Sequence, residues 1–534
     1  MKTLVSIFAC DAPEYAFAPL FNGFSAFQRV CQWIQNLSVE NKCGKISEVL
    51  IITDSFHENT IKDSLKEFPL KYSLEVGQYK NYSNFLSLLS SKLSGYDTLI
   101  HSLCSCPFYD FELTEKLYEL HKDTAAEYTF AEGWPEGLAP SIINAGTVSI
   151  LSALPAKNTS YNVGQNIFFD LISSDINSFE VETLIAPEDM RQYRLNFECN
   201  SKEKTVACVN LFNFLNEKKE SFQADNLSAK AIFTNNVLRT VPCFYNIQIS
   251  SFCGGTCSYC PYPSEYEKKY GHKTFQSNIK NPKCYMSLDK FKDLAKNISD
   301  FSSEAVVSLS LWGEPLAHPN FIEFVKALLQ YSGLSVLIET DGQLVTPELA
   351  ETLSKEVVNC KERTNGYKPI IWIISKDALD QNMYETMRGK GSSEYPVSLK
   401  KAEDAVEILK PLFPDAVYTQ FLRTKYNEEQ LKAFYHSHKE TGGMIIQKYD
   451  NFAGLMPDLK VTDLSPLVRG ICWHQRRDMV ILVDGSVPFC REYMLDNHFG
   501  NVFSESLESI WDKGKAMEFC EKCRNCDEYY TFNF

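Results

Sequence analysis

The chain alternates short apolar runs with amphipathic stretches along most of its 534 residues. In the first part the runs Thr3–Cys10, Glu48–Asp54, Tyr72–Gln78, Tyr96–Leu103 and Glu127–Ala131 have strand length and end in polar or turn-forming residues. Between them apolar residues recur at helical spacing, as in Ser25–Gln35 and Thr114–His121. Strand and helix in alternation predict a doubly wound α/β domain over residues 1–230, with the polar stretch Glu217–Asn226 as a linker. A second rhythm follows. The runs Phe244–Ser250, Ala305–Leu311, Ser335–Thr340, Pro369–Ser375, Ala416–Leu422 and Met444–Tyr449 are separated by helical patterns such as Leu288–Ile298, Phe321–Tyr331 and Leu399–Leu409. Six such units over residues 235–460 predict a partial (β/α)6 barrel of the TIM type, whose chemistry collects at the C-terminal ends of the strands. Residues 465–534 are short, glycine-punctuated and rich in cysteine. They are too few for a large core of their own, so a bound metal or cluster is expected as a staple.

Composition sharpens this picture. The formal net charge is −15, which argues against a nucleic-acid or anionic-membrane partner. No apolar run approaches the ~18 residues of a membrane span. Ile7-Phe8-Ala9-Cys10 has a faint look of a lipoprotein signal, but the apolar stretch is short and Asp11 follows at once, so a first buried strand is expected. The 18 cysteines are not spread like a disulfide framework. Eight fall in two groups, Cys253/Cys257/Cys260 and Cys472/Cys490/Cys520/Cys523/Cys526; the rest are scattered and read as small buried hydrophobes. Grouped thiols in a chain of this size predict a cytoplasmic, metal-binding protein.

The first group occupies eight residues, Cys253-Gly254-Gly255-Thr256-Cys257-Ser258-Tyr259-Cys260, directly after a strand pattern. Three thiolates hold three corners of a [4Fe–4S] cube and leave one iron open to a cofactor or substrate. Gly254 and Gly255 let the loop curl, and Tyr259 offers a flat ring beside the open iron. A structural zinc site is the competing reading. It requires four ligands, and no fourth cysteine or histidine follows at a suitable distance; the nearest is His272.

This loop resembles the cluster loop of the radical S-adenosylmethionine (SAM) superfamily. The resemblance implies that Cys253, Cys257 and Cys260 hold a catalytic [4Fe–4S] cluster and that its open iron chelates the methionine half of SAM. It further implies reductive cleavage of SAM to a 5′-deoxyadenosyl radical that abstracts a hydrogen atom from the substrate. Motifs at successive strand ends carry the likeness further. Trp312-Gly313-Glu314-Pro315 resembles the family's Gly-Gly-Glu, with Trp312 in place of the first glycine, which assigns Gly313 and Glu314 to the SAM ammonium. Thr340-Asp341-Gly342 resembles Thr-Asn-Gly, and Ser375-Lys376-Asp377 resembles Ser-Leu-Asp, which assigns Ser375 and Asp377 to the ribose. Arg423, after the fifth strand, is placed to pair with the SAM carboxylate. The expected cofactor-binding set is therefore Tyr259, Gly313, Glu314, Thr340, Ser375, Asp377 and Arg423.

The C-terminal group resembles the SPASM extension of radical SAM proteins. Cys472, Gly485 and Cys490 precede Gly500-Asn501-Val502, which leads into Cys520, Cys523 and Cys526. The resemblance implies one auxiliary [4Fe–4S] cluster, held by Cys472, Cys490, Cys523 and Cys526 with Cys520 as the alternate; a zinc ribbon is the competing reading. Leu238-Arg239-Thr240-Val241-Pro242, Lys448-Tyr449-Asp450, Asp463-Leu464-Ser465-Pro466, Cys472-Trp473-His474 and Arg477-Asp478-Met479 look like the spirochaete-type spiro-SPASM proteins.

Residues Pro19–Ser25 resemble the nucleotide loop of sugar-nucleotidyltransferase-like folds, with Phe24 where that family carries lysine. Ser105-Cys106-Pro107-Phe108 resembles its Asp-x-Pro metal turn, with Ser105 at the carboxylate position. Lacking both the cation and the metal-binding anion, this domain is expected to be degenerate. Two functions follow. One is a radical SAM oxidoreductase or modification enzyme that takes electrons from a low-potential donor and acts on a peptide or protein side chain or on a sugar- or nucleotide-linked small molecule. The other is a non-catalytic protein with structural zinc or Fe–S sites and a nucleotide-sugar-binding N-terminal domain.

Overall fold

The computed structural model describes residues 2–154, 163–218, 222–224, 236–263, 284–392, 394–439, 443–462, 472–492, 498–516, 522–526 and 528. The chain forms two compact units, Met1–Thr240 and Val241–Phe534.

The first unit is built on a seven-stranded sheet. Its strands are β1 (Lys2–Phe8), β2 (Lys45–Thr53), β3 (Tyr72–Val76), β4 (Thr98–Leu103), β5 (Tyr128–Glu132), β6 (Ser141–Asn144) and β7 (Val181–Ile185), in the order β3-β2-β1-β4-β6-β5-β7. The five strands predicted from the apolar runs are all present, and the first of them, Lys2–Phe8, is buried along nearly its whole length. Two short strands lacked a legible signal. β6 is only four residues long, and β7, Val-Glu-Thr-Leu-Ile, is half-buried at an edge. β6 runs antiparallel to both β4 and β5. The helix Ala26–Glu40 begins on Ser25, whose hydroxyl accepts from Gln28 N while the Gln28 side chain answers the Ser25 N–H, a reciprocal cap that satisfies two orphan donors.

At the turn that starts with Ser105, its Oγ donates to Glu198. Arg29 lies over the rings of Phe21, Phe108 and Phe212 and donates to the Pro107 carbonyl. The guanidinium is held by aromatic faces.

The second unit carries another seven-stranded sheet. Its strands are β8 (Phe244–Ile247), β9 (Ala305–Ser308), β10 (Leu334–Thr340), β11 (Ile370–Ser375), β12 (Val417–Arg423), β13 (Met444–Lys448) and β14 (Asp478–Ile481). The order is β13-β12-β11-β10-β9-β8-β14, and every neighbouring pair is parallel. Six strands follow one another round the sheet as the sequence predicts. The seventh, β14, comes from the cysteine-rich stretch and closes against the free edge of β8, Asp478 opposite Phe244. A small antiparallel pair, β15 (Ser486–Pro488) and β16 (His498–Asn501), follows it.

Strand side chains alternate between two cores with a period of two. Val336 and Ile338, Ile370, Trp372 and Ile374 face the surrounding helices, where Phe291, Phe324, Val325 and Leu328 meet them. Leu337, Ile371, Ile373, Phe244 and Val306 face inward. Both faces are buried, as parallel sheets require, which is why these strands read as continuous apolar runs. Among the described residues no helix is long and apolar enough to cross a membrane.

Candidate functional site

The eight-residue cysteine loop leaves the C-terminal end of β8. Cys260 N donates to the Cys257 carbonyl at 3.1 Å, which turns the loop back on itself. A Cβ built on Gly255 would stand 3.6 Å from Cys257 Sγ and 3.8 Å from Cys253 Sγ, so two of the thiols converge on one point. Cys253 and Cys260 pack together with Trp312 and Phe452 against Tyr262 and Leu311. Burial raises all three thiols, Cys260 to about 12, so without a metal they are protonated. A cationic iron centre reverses that preference, because its charge favours the thiolate. The donor set fits a cluster held by three cysteines.

Two glycines have no alternative here. A side-chain carbon at Gly254 would lie 2.2 Å from the Tyr395 ring. One at Gly313 would lie 2.0 Å from the Ser250 carbonyl oxygen, with φ at +157°. Glu314 N donates to the Phe252 carbonyl at 2.7 Å, so the turn after β9 is fastened directly to the cysteine loop.

That turn delivers Glu314 into the interior, 5 % exposed. Its carboxylate accepts from Thr340 Oγ1 at 2.8 Å and from Leu316 N at 3.1 Å, which unites two of the residues expected from the strand-end motifs. Asp341 stands beside it and accepts from the Tyr395 hydroxyl at 2.9 Å. Among the described residues no lysine, arginine or histidine forms an ion pair with either acid. Burial first, and then the Asp341 charge, raises Glu314 to about 8. A buried acid pair without a counter-cation is the complement of an ammonium group.

The far side of the loop is clamped by the helix Gln381–Arg388. Asp380 starts this helix by accepting from Met383 N, and Gly389, at φ +75°, ends it. Ser258 donates from both its backbone N and its hydroxyl to the Met387 carbonyl. Arg388 Nη1 reaches Asp377 Oδ2 at 2.9 Å and the Tyr259 hydroxyl at 2.5 Å, and Tyr259 itself donates to Asp377 at 2.7 Å. Asp377 Oδ1 accepts from Leu422 N. The Asp377 carboxylate is wholly buried and engaged on every side by protein donors. Tyr259 is therefore a strut between the loop and the strand ends. Ser375 closes β11, half-buried. Arg423 is at the end of β12, but its guanidinium forks onto Glu428 with two 2.7 Å bonds. Arg388 had no signal in strand-end reasoning, because it sits on a helix and reaches the loop only through the fold.

The second cysteine group lines one cavity of about 650 Å³, its open mouth included. Cys472, Cys490, Cys523 and Cys526 all face it, together with His474, Asp478, Arg491, Glu492 and Glu528. Cys520 lies outside the described residues, as do His272 and Asp463–Pro466. Burial raises Cys472 to about 12 and lifts Cys490 and Cys526 as well. Among the described residues no three His, Cys, Asp or Glu side chains close on a point as they would around a single ion. All four thiols border this one cavity, and four cysteines are a donor set that fits a [4Fe–4S] cluster.

Residues 247–438 match the model of the radical SAM superfamily, and residues 472–527 match that of the SPASM iron–sulfur cluster-binding domain. An uncharacterized protein of Treponema pallidum (strain Nichols) is 36% identical over 380 residues, spanning 69% of this chain and 99% of the relative. Among solved structures, a tagged form of anSMEcpe with bound AdoMet is 18% identical, with a TM-score of 0.39 over 54% of this chain and 85% of that one. A cytidylyltransferase from Leptospira borgpetersenii is 14% identical, with a TM-score of 0.34 over 45% of this chain and 96% of that one.

Proposed function

The chain belongs to the radical SAM superfamily and carries a C-terminal SPASM domain, and from that premise we propose which of its residues do the work and on what. It is an enzyme that uses SAM, a [4Fe–4S] cluster and auxiliary iron–sulfur. Cys253, Cys257 and Cys260 hold the cluster that faces SAM, and Cys472, Cys490, Cys523 and Cys526 hold one auxiliary cluster. When bound and reduced, the first cluster supplies the electron that cleaves the sulfonium bond of SAM. Glu314 receives the SAM ammonium, with Thr340 and the backbone at Gly313 setting its direction. Ser375 faces the ribose, and Arg423 remains the candidate for the SAM carboxylate once it leaves Glu428. The domain limits are 1–230, 235–460 and 465–534. The substrate is a peptide or protein side chain or a sugar- or nucleotide-linked small molecule, the electrons come from a low-potential donor, and the place of action is the cytoplasm.

One observation carries this reading: the acid pair Glu314 and Asp341, which meets no cation among the described residues, beside a loop of three cysteines. It is tested on anaerobically reconstituted protein. Roughly eight irons per chain (two four-iron clusters), with release of 5′-deoxyadenosine from SAM and dithionite, are expected. Bound zinc without iron, and no SAM cleavage, would replace the enzyme by a structural metal protein.

Glu314 makes a sharper expectation. In SAM-free protein it holds its proton up to about pH 8, and an ammonium favours the carboxylate. SAM binding below that pH is therefore expected to expel a proton, measurable by calorimetry in buffers of different ionisation enthalpy. The linkage has a definite sign. A carboxyl raised from 4.5 to about 8 adds stability that is complete below 4.5 and is lost as pH climbs through 8. Glu314→Gln should flatten that decline and abolish the proton release. An unchanged proton count in the variant would remove Glu314 from the ammonium site.

A further inference from the structure

An apolar partition stands beside the Cys253–Cys260 loop. Tyr262, Leu311, Val480 and Leu482 are buried at its centre, and Cys253 and Cys260 pack against it. Val480 also lines the cavity of the C-terminal cysteines, so the partition borders both cysteine groups. Two aromatic side chains complete it. Trp312 comes from the turn after β9 and Phe452 from the turn after β13. The indole stacks on Tyr262, with ring centroids 6.3 Å apart and planes within 14° of parallel, and meets Phe452 at 5.3 Å.

Both aromatics stand on backbone that disfavours them. Trp312 has φ +43° and Phe452 φ +51°. A side chain in this left-handed region crowds its own backbone, and a bulky one is strained there. Among the described residues no other aromatic side chain has positive φ, and these two touch each other. Glycine, which the Gly-Gly-Glu motif carries where Trp312 stands, would take the same φ freely. The surroundings hold the strain in place. Gln248 Nε2 donates to the Trp312 carbonyl at 2.6 Å while its Oε1 accepts from Val483 N, and Phe452 N donates to Asp450 Oδ1 at 2.9 Å. Strained backbone fixed in this way gathers at functional sites.

The position of the rings indicates their task. An added electron makes a thiolate-held iron cube more negative, and an apolar flank that excludes water disfavours the added charge. A cube so flanked is the stronger reductant. We propose that Trp312 and Phe452 seal the flank of the Cys253–Cys260 loop against water and hold down the reduction potential of the cluster bound there. The seal rests on the radical SAM reading, which puts a reducible cluster on this loop, and adds what tunes that cluster.

The test uses the full-length chain with its clusters reconstituted anaerobically. The variants are Trp312→Gly, Trp312→Phe and Phe452→Ala. Potentiometric titration followed by EPR gives each midpoint, and the signal absent from Cys257→Ala identifies the cluster on the loop. In Trp312→Gly that midpoint should rise, so that the reduced-to-oxidised ratio at a fixed potential grows severalfold. Iron loss from the same cluster to a chelator should quicken severalfold. Phe452→Ala should move both in the same direction from the other side of the wall. Trp312→Phe keeps an aryl ring on the same backbone and should stay near the parent. Thermal melting identifies the folded variants, and Trp312→Gly or Phe452→Ala decides alone where the other does not fold. Parent-like or lowered midpoints in the folded variants overturn the seal. Cleavage of SAM by the parent, with midpoints unmoved in the variants, overturns the seal alone. Raised midpoints in a chain that never cleaves SAM support the seal and overturn the enzymatic reading. Zinc in place of iron overturns both.

Discussion

Replacing Cys257 with alanine is expected to abolish 5′-deoxyadenosine release and to lower the iron content from roughly eight to roughly four per chain. The geometry makes this loss complete rather than partial. Cys257 sits mid-loop, its carbonyl accepts from Cys260 N, and its sulfur shares the space over Gly255 with Cys253. Two remaining thiols cannot hold a cube with one vertex reserved for a ligand. No neighbouring group replaces the third, since the adjacent Tyr259 is fixed to Asp377 and Arg388. The C-terminal cysteines line a separate cavity and should keep their iron. The measurements are iron and sulfide analysis and product chromatography under anaerobic reduction. Continued 5′-deoxyadenosine formation by Cys257→Ala would mean that the catalytic cluster sits elsewhere.

The second large effect is on stability. Arg388→Met removes the cation that faces Asp377, whose carboxylate has no solvent contact. Breaking such a pair strands a buried charge and costs about 3–5 kcal/mol. Because Arg388 also holds Tyr259, the cysteine loop should lose its strut as well, and iron retention should fall. Denaturant unfolding of the variant checks the first expectation and iron analysis the second. Adding Asp377→Asn to Arg388→Met should recover part of the loss, since a neutral amide replaces the stranded charge. A double variant no more stable than Arg388→Met alone would show that the arginine works by packing, not by charge. By contrast, Arg423→Met should cost far less in SAM-free protein, because the Arg423–Glu428 fork is part-exposed and screened by solvent.

These two arginines show where sequence reading stops. Arg423 follows a strand and is easy to nominate, because parallel strands end at the functional face. Arg388 lies within a helix whose pattern resembles any amphipathic segment. It meets Tyr259 across 129 positions of chain, and nothing local announces that contact. The same holds for Asp377. The Ser-Lys-Asp motif locates it at the end of β11, yet only the fold reveals that Leu422, Tyr259 and Arg388 take up its oxygens. Glu314 is the opposite case. Its motif is legible, and the fold adds the burial, and then the neighbour Asp341, that raise it.

What the chain alone determined is what short-range covalent spacing can carry. The three thiols of Cys253–Cys260 lie within one loop of eight residues, and the approach of Cys253 and Cys257 over Gly255 follows from that short reach. Apolar runs of strand length laid down most of the strands, because a parallel sheet buried on both faces demands continuous apolar residues. Tertiary structure decided the rest. It brought β14 from the cysteine-rich stretch back to β8, gathered Cys472, Cys490, Cys523 and Cys526 around one cavity, and set Asp450 against Glu492. Such meetings depend on sheet register and on how helices cross it, which are properties of the packed whole and leave no periodic mark on the residues that take part.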